Sequence, residues 1–162
     1  MKKIMFALAI VLGSTQAQAS TPSLTSAKAT ALASQAVAIA EKRGYKVAAT
    51  VVDANGVILA VVRGDGAAGT TTKTTFKKAF TAISAKQNTS DFLANVHKEG
   101  HDYLNKFVLS TLPAGQDSIV LLGGGVLIKN NDVIIGAIGV GGAPGGHIDD
   151  SIADEAIKAT NI

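Results

Sequence analysis

The sequence predicts an α+β fold in which helices pack on a mostly antiparallel sheet of about five strands. Three observations predict it. Apolar residues recur at helical spacing near both ends of the chain, β-branched runs occur in neighbouring groups, and the links within those groups have hairpin length. No composition shift or long linker divides the chain, so one core is expected.

The first half of the chain predicts a helix followed by a hairpin. Apolar residues at helical spacing cover residues 24–43, and Gly44 stands where a helix-terminating glycine belongs. Residues 47–52 and 57–62 are β-branched runs separated by Asp53-Ala54-Asn55-Gly56, whose Asn-Gly pair predicts a type I′ turn. We expect these two strands to be antiparallel neighbours.

The second half predicts two helices, three strands and a last helix. Residues 70–86 have helical spacing, and Thr89 or Ser90 is a suitable N-cap for the next helix. Asp149 or Asp150 is the expected N-cap of the final helix, where a carboxylate suits the helix dipole. The three predicted strands are residues 119–122, 126–128 and 133–140.

The first 19 residues have the pattern of a signal peptide. Lys2 and Lys3 precede an apolar run, and Ala17-Gln18-Ala19 offers small residues at the cleavage positions. We therefore expect cleavage after Ala19, a single mature domain over residues 20–162, and a periplasmic or secreted product. The leader is too short to remain as a membrane span, and no membrane insertion is expected after its removal.

Composition narrows the classes of partner. Removal of Lys2 and Lys3 lowers the formal net charge from +3 to +1, which gives no case for nucleic-acid binding. The chain has no cysteine, so disulfides, thiolate metal sites and a cysteine nucleophile are excluded. Stability must come from packing or assembly, and we predict a homo-oligomer.

The stretch 136–150 joins an apolar strand to an acidic helix start through repeated glycines. Glycine permits positive φ and close backbone approach. A dinucleotide fingerprint would need glycine where Pro144 stands, and a phosphate loop would need Gly-Lys-Ser or Gly-Lys-Thr. We interpret the stretch as a turn that shapes a site.

Four motifs occur along the chain in a characteristic order: Val51 to Gly56, Gly64 to Ala67, Lys77 to Ala82, and Gly136 to Gly146 followed by Asp149-Asp150. Together they resemble the GlcG/HbpS-like family, also called the haem-degrading domain family. The resemblance covers nearly all of the mature chain and implies a profilin-like α/β/α sandwich, assembly into dimers or larger rings, and binding of haem or, less favoured, cobalamin or a related corrinoid. Ile152 departs from the pattern, since a cysteine is frequent there.

The expected haem site combines the glycine-rich stretch with the second helix. Lys78 is expected to be exposed near a propionate, with Thr81 or His147 near the iron. Lys73 and Lys77 are interpreted as a solvated helix face, although a carboxylate-bearing ligand could use them. The glycines that would let a flat macrocycle approach the backbone are Gly141, Gly142, Gly145 and Gly146.

His97 and His101 are the candidate metal ligands. They are four residues apart on a predicted helix, so they could share a metal ion or an axial haem position. Glu99 does not directly follow the first histidine, which excludes the zinc-protease motif. The neighbouring Gly100 and charged residues favour a solvated surface for the pair.

Three functional classes remain open. The first is an exported haem- or tetrapyrrole-binding protein for storage, sensing or hand-off to an extracytoplasmic sensor or transporter. The second is an oxidative haem-degrading enzyme, or an accessory protein for small hydroxy-acid metabolism. The third is an oligomeric assembly module without a bound cofactor. No catalytic constellation is evident in the sequence, so no residue is assigned a catalytic role.

Overall fold

The computed structural model describes residues 23–98 and 119–162, and it confirms the α+β class. The predicted leader and His101 lie outside these ranges. None of the helices within them is long and apolar enough to cross a membrane. In chain order the elements are α1 Ser26–Lys42, β1 Ala48–Asp53, β2 Ile58–Arg63, α2 Thr71–Ala85, α3 Thr89–Val96, β3 Gly125–Asn130, β4 Val133–Gly141 and α4 Gly146–Thr160.

The described strands form one antiparallel sheet with the order β2-β1-β4-β3. The expected strand at residues 119–122 is not part of this sheet. Ile119 packs against Phe92 and Val96 of α3, and the Val120 N–H donates to Thr81 Oγ1 at 2.9 Å. This apolar run therefore packs against helices, and the described residues contribute four strands to the sheet where about five were expected.

The sheet separates two helix layers. Ala49 and Val51 of β1 belong to the core formed with α1 and α4, whereas Val52 belongs to the core formed with α2. Successive residues of a strand point to opposite faces, so this alternation places α1 and α4 on one side and α2 on the other. The result is the expected profilin-like α/β/α sandwich.

Glycines on the α2 side of the sheet let the helix backbone approach closely. A Cβ at Gly139 would lie 2.0 Å from the Thr75 carbonyl oxygen, and one at Gly125 would lie 2.4 Å from the Lys78 carbonyl oxygen. Beside this contact, Thr50 Oγ1 and Thr75 Oγ1 share a buried hydrogen bond of 2.8 Å. This close packing holds Lys78 above the end of β4.

The hairpin between β1 and β2 is present, but its turn is not type I′. Gly56 has φ 82°, whereas Asn55 is not among the residues with positive φ, and type I′ requires both. The Gly56 N–H donates to the Asp53 carbonyl, and Asp53 Oδ1 accepts the N–H groups of Asn55 and Val57. The aspartate side chain thus stabilises a longer turn that needs one left-handed residue.

Candidate functional site

A cleft lies where the start of α2, the end of β4 and the start of α4 meet, and we call it the glycine cleft. Its volume is about 250 Å³. The predicted juxtaposition of the glycine-rich stretch and the second helix is therefore present. The cleft is lined by Thr70, Thr71, Thr74, Lys78, Leu122, Gly123, Gly141, Gly142, Ala143, Pro144, Gly145, Gly146 and Asp149.

Lys78 is buried in the wall of the glycine cleft, whereas the sequence predicted an exposed cation. Its ammonium donates to Asp149 Oδ2 at 2.7 Å and to the Val140 carbonyl at 2.8 Å. The two charged side chains are 5% and 4% exposed. The close approach of α2 to the sheet buries Lys78, and its charge is balanced by Asp149 inside the protein.

Asp149 is a buried acid in the first turn of α4. Desolvation by burial raises its pKa above the ordinary 3.8, while the hydrogen bond and charge of Lys78 act in the opposite direction. Its other oxygen, Oδ1, accepts the Ala143 N–H at 3.2 Å. Asp149 therefore connects α2, the glycine-rich stretch and α4.

The aspartate pair does not provide the N-cap that the sequence predicted. Helix α4 begins at Gly146, with Gly145 as N-cap and no side-chain cap hydrogen bond. Asp150 accepts the Gly124 N–H at 2.6 Å and the Ser90 hydroxyl. Both carboxylates thus bind neighbouring elements, because the helix starts one turn earlier than the acidic pair indicated.

The four predicted glycines all line the cleft, and backbone atoms of other segments approach two of them closely. Gly142 has φ 128°, and a Cβ there would lie 2.4 Å from the Lys46 carbonyl oxygen. A Cβ at Gly146 would lie 2.9 Å from the Cα of Gly123. The packing of the fold therefore requires glycine at these two positions, whether or not a ligand binds.

The other predicted site residues do not line this cleft. Thr81 is buried and accepts the Val120 N–H, so its hydroxyl faces the segment beside α3. His147 is exposed on α4 and is not among the lining residues. His97 is the exposed C-cap of α3, and its partner His101 lies outside the described residues. No group of three or more histidine, cysteine or acidic side chains suited to a metal ion occurs within residues 23–98 and 119–162.

A larger opening, which the sequence did not identify, lies between the edge strand β2 and helix α2. We call it the β2–α2 groove. Its volume is about 520 Å³, roughly twice that of the glycine cleft. It is lined by Ile58, Val61, Thr70, Thr72, Lys73, Thr74, Phe76 and Lys77.

The groove combines an apolar floor with a cationic wall. Ile58 and Val61, which are 47% and 45% exposed, lie beside Phe76 on the α2 side of the sheet. Lys73 and Lys77 are one helical turn apart on α2. The β-branched residues of β2 predicted a strand. The sequence did not predict their exposure, because it follows from the position of β2 at the edge of the sheet, and that position depends on the strand order.

The described residues form a small α/β/α sandwich domain, in which an antiparallel sheet lies between two helix layers. The open groove and the smaller cleft lie on either side of the start of α2. The family model described as haem degrading protein HbpS-like matches residues 24–158. The chain belongs to this HbpS-like family. None of the curated proteins matches the chain.

Solved structures resemble the chain over most of their length. A double mutant of HbpS from Streptomyces reticuli is 31% identical, with 94% of this chain and 97% of that chain covered and a TM-score of 0.73. The protein ORFY from Klebsiella pneumoniae is 26% identical, with 90% and 96% covered and a TM-score of 0.75. A PduOC:heme complex is 26% identical, with 85% and 95% covered and a TM-score of 0.72.

Proposed function

We propose that this protein binds haem, or a closely related tetrapyrrole, in the β2–α2 groove. The observation that carries the proposal is the combination of an apolar floor with two lysines one turn apart on a single wall. Family membership and the likeness to a haem complex support the choice of ligand. The apolar and cationic lining of the groove supports the choice of this groove as the binding site.

The groove fits the two chemical parts of a haem molecule. Ile58, Val61 and Phe76 supply apolar surface for the macrocycle, and burying that surface is favourable. Lys73 and Lys77 supply two ammonium groups at the spacing of one turn for the two propionates. The described lining also contains threonine hydroxyls and lysine amines, which are oxygen and nitrogen groups able to bind the haem iron.

The geometry favours the groove over the glycine cleft that the sequence indicated. Lys78 already uses two of its hydrogens on Asp149 and Val140, so a propionate would have to replace an internal ion pair. The cleft also has about half the volume of the groove. Lys73 is exposed and Lys77 half-buried, and neither forms an ion pair within the described residues.

The test is a haem titration followed by the Soret band. We expect stoichiometric binding by wild type and roughly tenfold weaker binding by the double variant Lys73→Met, Lys77→Met. The reason is that two solvent-accessible ion pairs between these lysines and the haem propionates contribute about 1.4 kcal/mol together. The matched control is Lys129→Met with Lys158→Met, which removes two exposed lysines elsewhere. Equal affinity in both double variants, or no Soret shift in wild type, would contradict the proposal.

The same titration separates the groove from the residues that the sequence selected. Val61→Asp, which places a charge on the apolar floor, should abolish binding while circular dichroism stays unchanged. Loss of binding only in Lys78→Met, with circular dichroism unchanged, would place haem at the glycine cleft. Loss only in Thr81→Ala or His147→Ala would place it at that residue, outside both the cleft and the groove. Loss only in the double change at His97 and His101 would make that pair the ligand.

We propose that the protein holds the ligand outside the cytoplasm, for storage, sensing or hand-off, because residues 1–19 have the pattern of a signal peptide. Intact mass from a cell-envelope fraction should show a chain that begins at Ser20. A product beginning at Met1 would contradict export with cleavage.

Haem degradation is the second candidate, and the family's description favours it. The measurement is bleaching of the Soret band with ascorbate and oxygen, compared with free haem. Bleaching faster than that of free haem would favour an enzyme, and a stable band would favour a binding protein.

A further inference from the structure

We propose that the β2–α2 groove recognises the ring and the two propionates of its ligand and does not depend on the metal, so that it takes dicarboxylic porphyrins with or without iron and rejects porphyrins with more carboxylates. This inference rests on the proposed tetrapyrrole function and narrows the class of ligand. It follows from three features of the groove: its apolar floor, its single cationic wall, and the chemical state of the lysines and threonines that line it.

The apolar floor depends on an irregularity in the pairing of β1 with β2. Thr50 pairs with Val61, whereas Val52 pairs with Ile58 after a register shift between Val51 and Val52. Thr50 and Val52 both face α2, so their partners on β2 face α2 as well. Residues three apart on a regular strand would point to opposite faces. The shift therefore places two exposed β-branched side chains on one face, where they can contact one side of a flat ring.

The cationic wall matches a ligand with two carboxylates on one edge. Lys73 and Lys77 are one turn apart on α2, and neither forms an ion pair within the described residues. Two adjacent carboxylates can each meet one of these ammonium groups. Protoporphyrin has this arrangement, because its two propionates are adjacent and its other side groups are methyl and vinyl. The wall and the acidic edge of the ring therefore match in number and position.

The lysines could bind iron only at the expense of the propionates. A lysine paired with a carboxylate is an ammonium, which has three donor hydrogens and no lone pair for a metal. Thr72 and Thr74 donate their hydroxyl hydrogens to backbone carbonyls about one turn earlier, at 3.3 and 3.2 Å. Haem iron in proteins is usually held by histidine, cysteine, methionine or tyrosine, and a neutral threonine hydroxyl is not of this kind. The described lining thus recognises features that haem and metal-free protoporphyrin share.

The floor also limits the number of carboxylates. Coproporphyrin carries two further propionates where protoporphyrin has vinyl groups. With one acidic edge at the lysine wall, the additional carboxylates would lie toward the floor and lose water beside Ile58 and Val61. Moving a charge from water to apolar surface is unfavourable. The groove should therefore discriminate against porphyrins with more than two carboxylates.

The experiment compares haem, haem with cyanide at both axial positions, and metal-free protoporphyrin IX. Soret absorbance follows the first two ligands, and porphyrin fluorescence follows the third. Cyanide leaves the iron no free position for a protein ligand, so this form isolates recognition of the ring and propionates. We expect the three dissociation constants to agree within about threefold. Binding of protoporphyrin or of the cyanide complex at least about tenfold weaker than that of haem would show that the protein ligates the iron, and would overturn the inference.

The lysine wall should act equally on ligands with and without iron. Lys73→Met with Lys77→Met should weaken haem and protoporphyrin by the same factor, roughly tenfold. The matched control, Lys129→Met with Lys158→Met, removes two exposed lysines elsewhere and should weaken neither. A double variant that loses haem and keeps protoporphyrin would mean that a lysine binds the iron, which contradicts the inference.

Coproporphyrin tests the limit on carboxylates. Wild type should bind it at least about tenfold more weakly than protoporphyrin. Ile58→Lys adds a cation to the floor at a 47% exposed position and should bring the two affinities closer together, whereas Val133→Lys, outside the groove, should not. Equal affinity of wild type for both porphyrins, or an unchanged ratio in Ile58→Lys, would overturn the role of the floor.

The results separate this inference from the tetrapyrrole proposal itself. Binding of haem without binding of protoporphyrin would overturn independence from the metal and leave the proposed function intact. Binding of none of the three ligands would overturn both.

Discussion

The ammonium of Lys78 lies 2.7 Å from Oδ2 of Asp149, and the two side chains are 5% and 4% exposed. The pair joins α2 to α4 across the end of β4, where the Val140 carbonyl accepts a second hydrogen bond. Removing either partner would leave an unpaired charge buried in the protein. The resulting loss of folding stability is larger than the net stabilisation that the intact pair provides. This asymmetry gives the first prediction.

Lys78→Met should destabilise the protein by about 3–5 kcal/mol, because Asp149 would stay buried without its partner. The double variant Lys78→Met, Asp149→Leu should lose less, since no buried charge remains. Urea unfolding at neutral pH measures both. A single variant within about 1 kcal/mol of wild type would show that the charges are better solvated than the structure indicates.

The raised pKa of Asp149 predicts how stability depends on pH. Burial makes the folded protein bind this proton more tightly than the unfolded chain, whose carboxyl titrates near 3.8. The contribution of Asp149 to stability is therefore largest below pH 3.8 and is lost as pH rises through the raised pKa.

The measurement compares wild type with Asp149→Asn, which cannot titrate at this position. Urea unfolding from about pH 3.5 to about pH 6.5 should show wild-type stability falling relative to the variant as pH rises. A relative stability that grows with pH would mean that attraction by Lys78 outweighs burial.

Gly139→Ala should destabilise the protein by at least about 2 kcal/mol, since its Cβ would lie 2.0 Å from the Thr75 carbonyl oxygen. Gly69→Ala is the matched control, because a Cβ there meets nothing within 4 Å and the residue has no positive φ. The control should be neutral or slightly stabilising. Thermal unfolding compares the two, and equal melting temperatures would contradict close α2 packing.

Self-association is expected through the edge strand β2. Val57, Ile58 and Val61 are 61%, 47% and 45% exposed, and β2 is an edge strand among the described strands. An exposed apolar edge strand favours pairing with another chain. Light scattering at micromolar concentration should give at least a dimer, and Val57→Lys should weaken it. Val133→Lys, at the turn between β3 and β4 and away from the β2 edge, is the control. A monomer mass for wild type across ordinary salt would refute association.

Local sequence signals predicted most of the elements. Helix α1, which ends before the left-handed Gly44, and the two hairpins follow from periodicity and turn residues that act within a few positions. The strand expected at residues 119–122 is wrong because an apolar run does not reveal whether it packs in a sheet or against helices. The N-cap expected at Asp149 or Asp150 is wrong because Gly145 begins the helix without a side-chain cap.

The sequence by itself determined the α+β class, the order of the described elements apart from the strand expected at residues 119–122, and the meeting of the glycine-rich stretch with the second helix. Only the tertiary structure decided that Lys78 is buried, because its partner Asp149 is 71 residues away. It also decided that Ile58 and Val61 line an open groove, since β2 is an edge strand only in the order β2-β1-β4-β3. Burial and charge pairing depend on contacts between distant segments, and periodicity and turn chemistry carry no information about them.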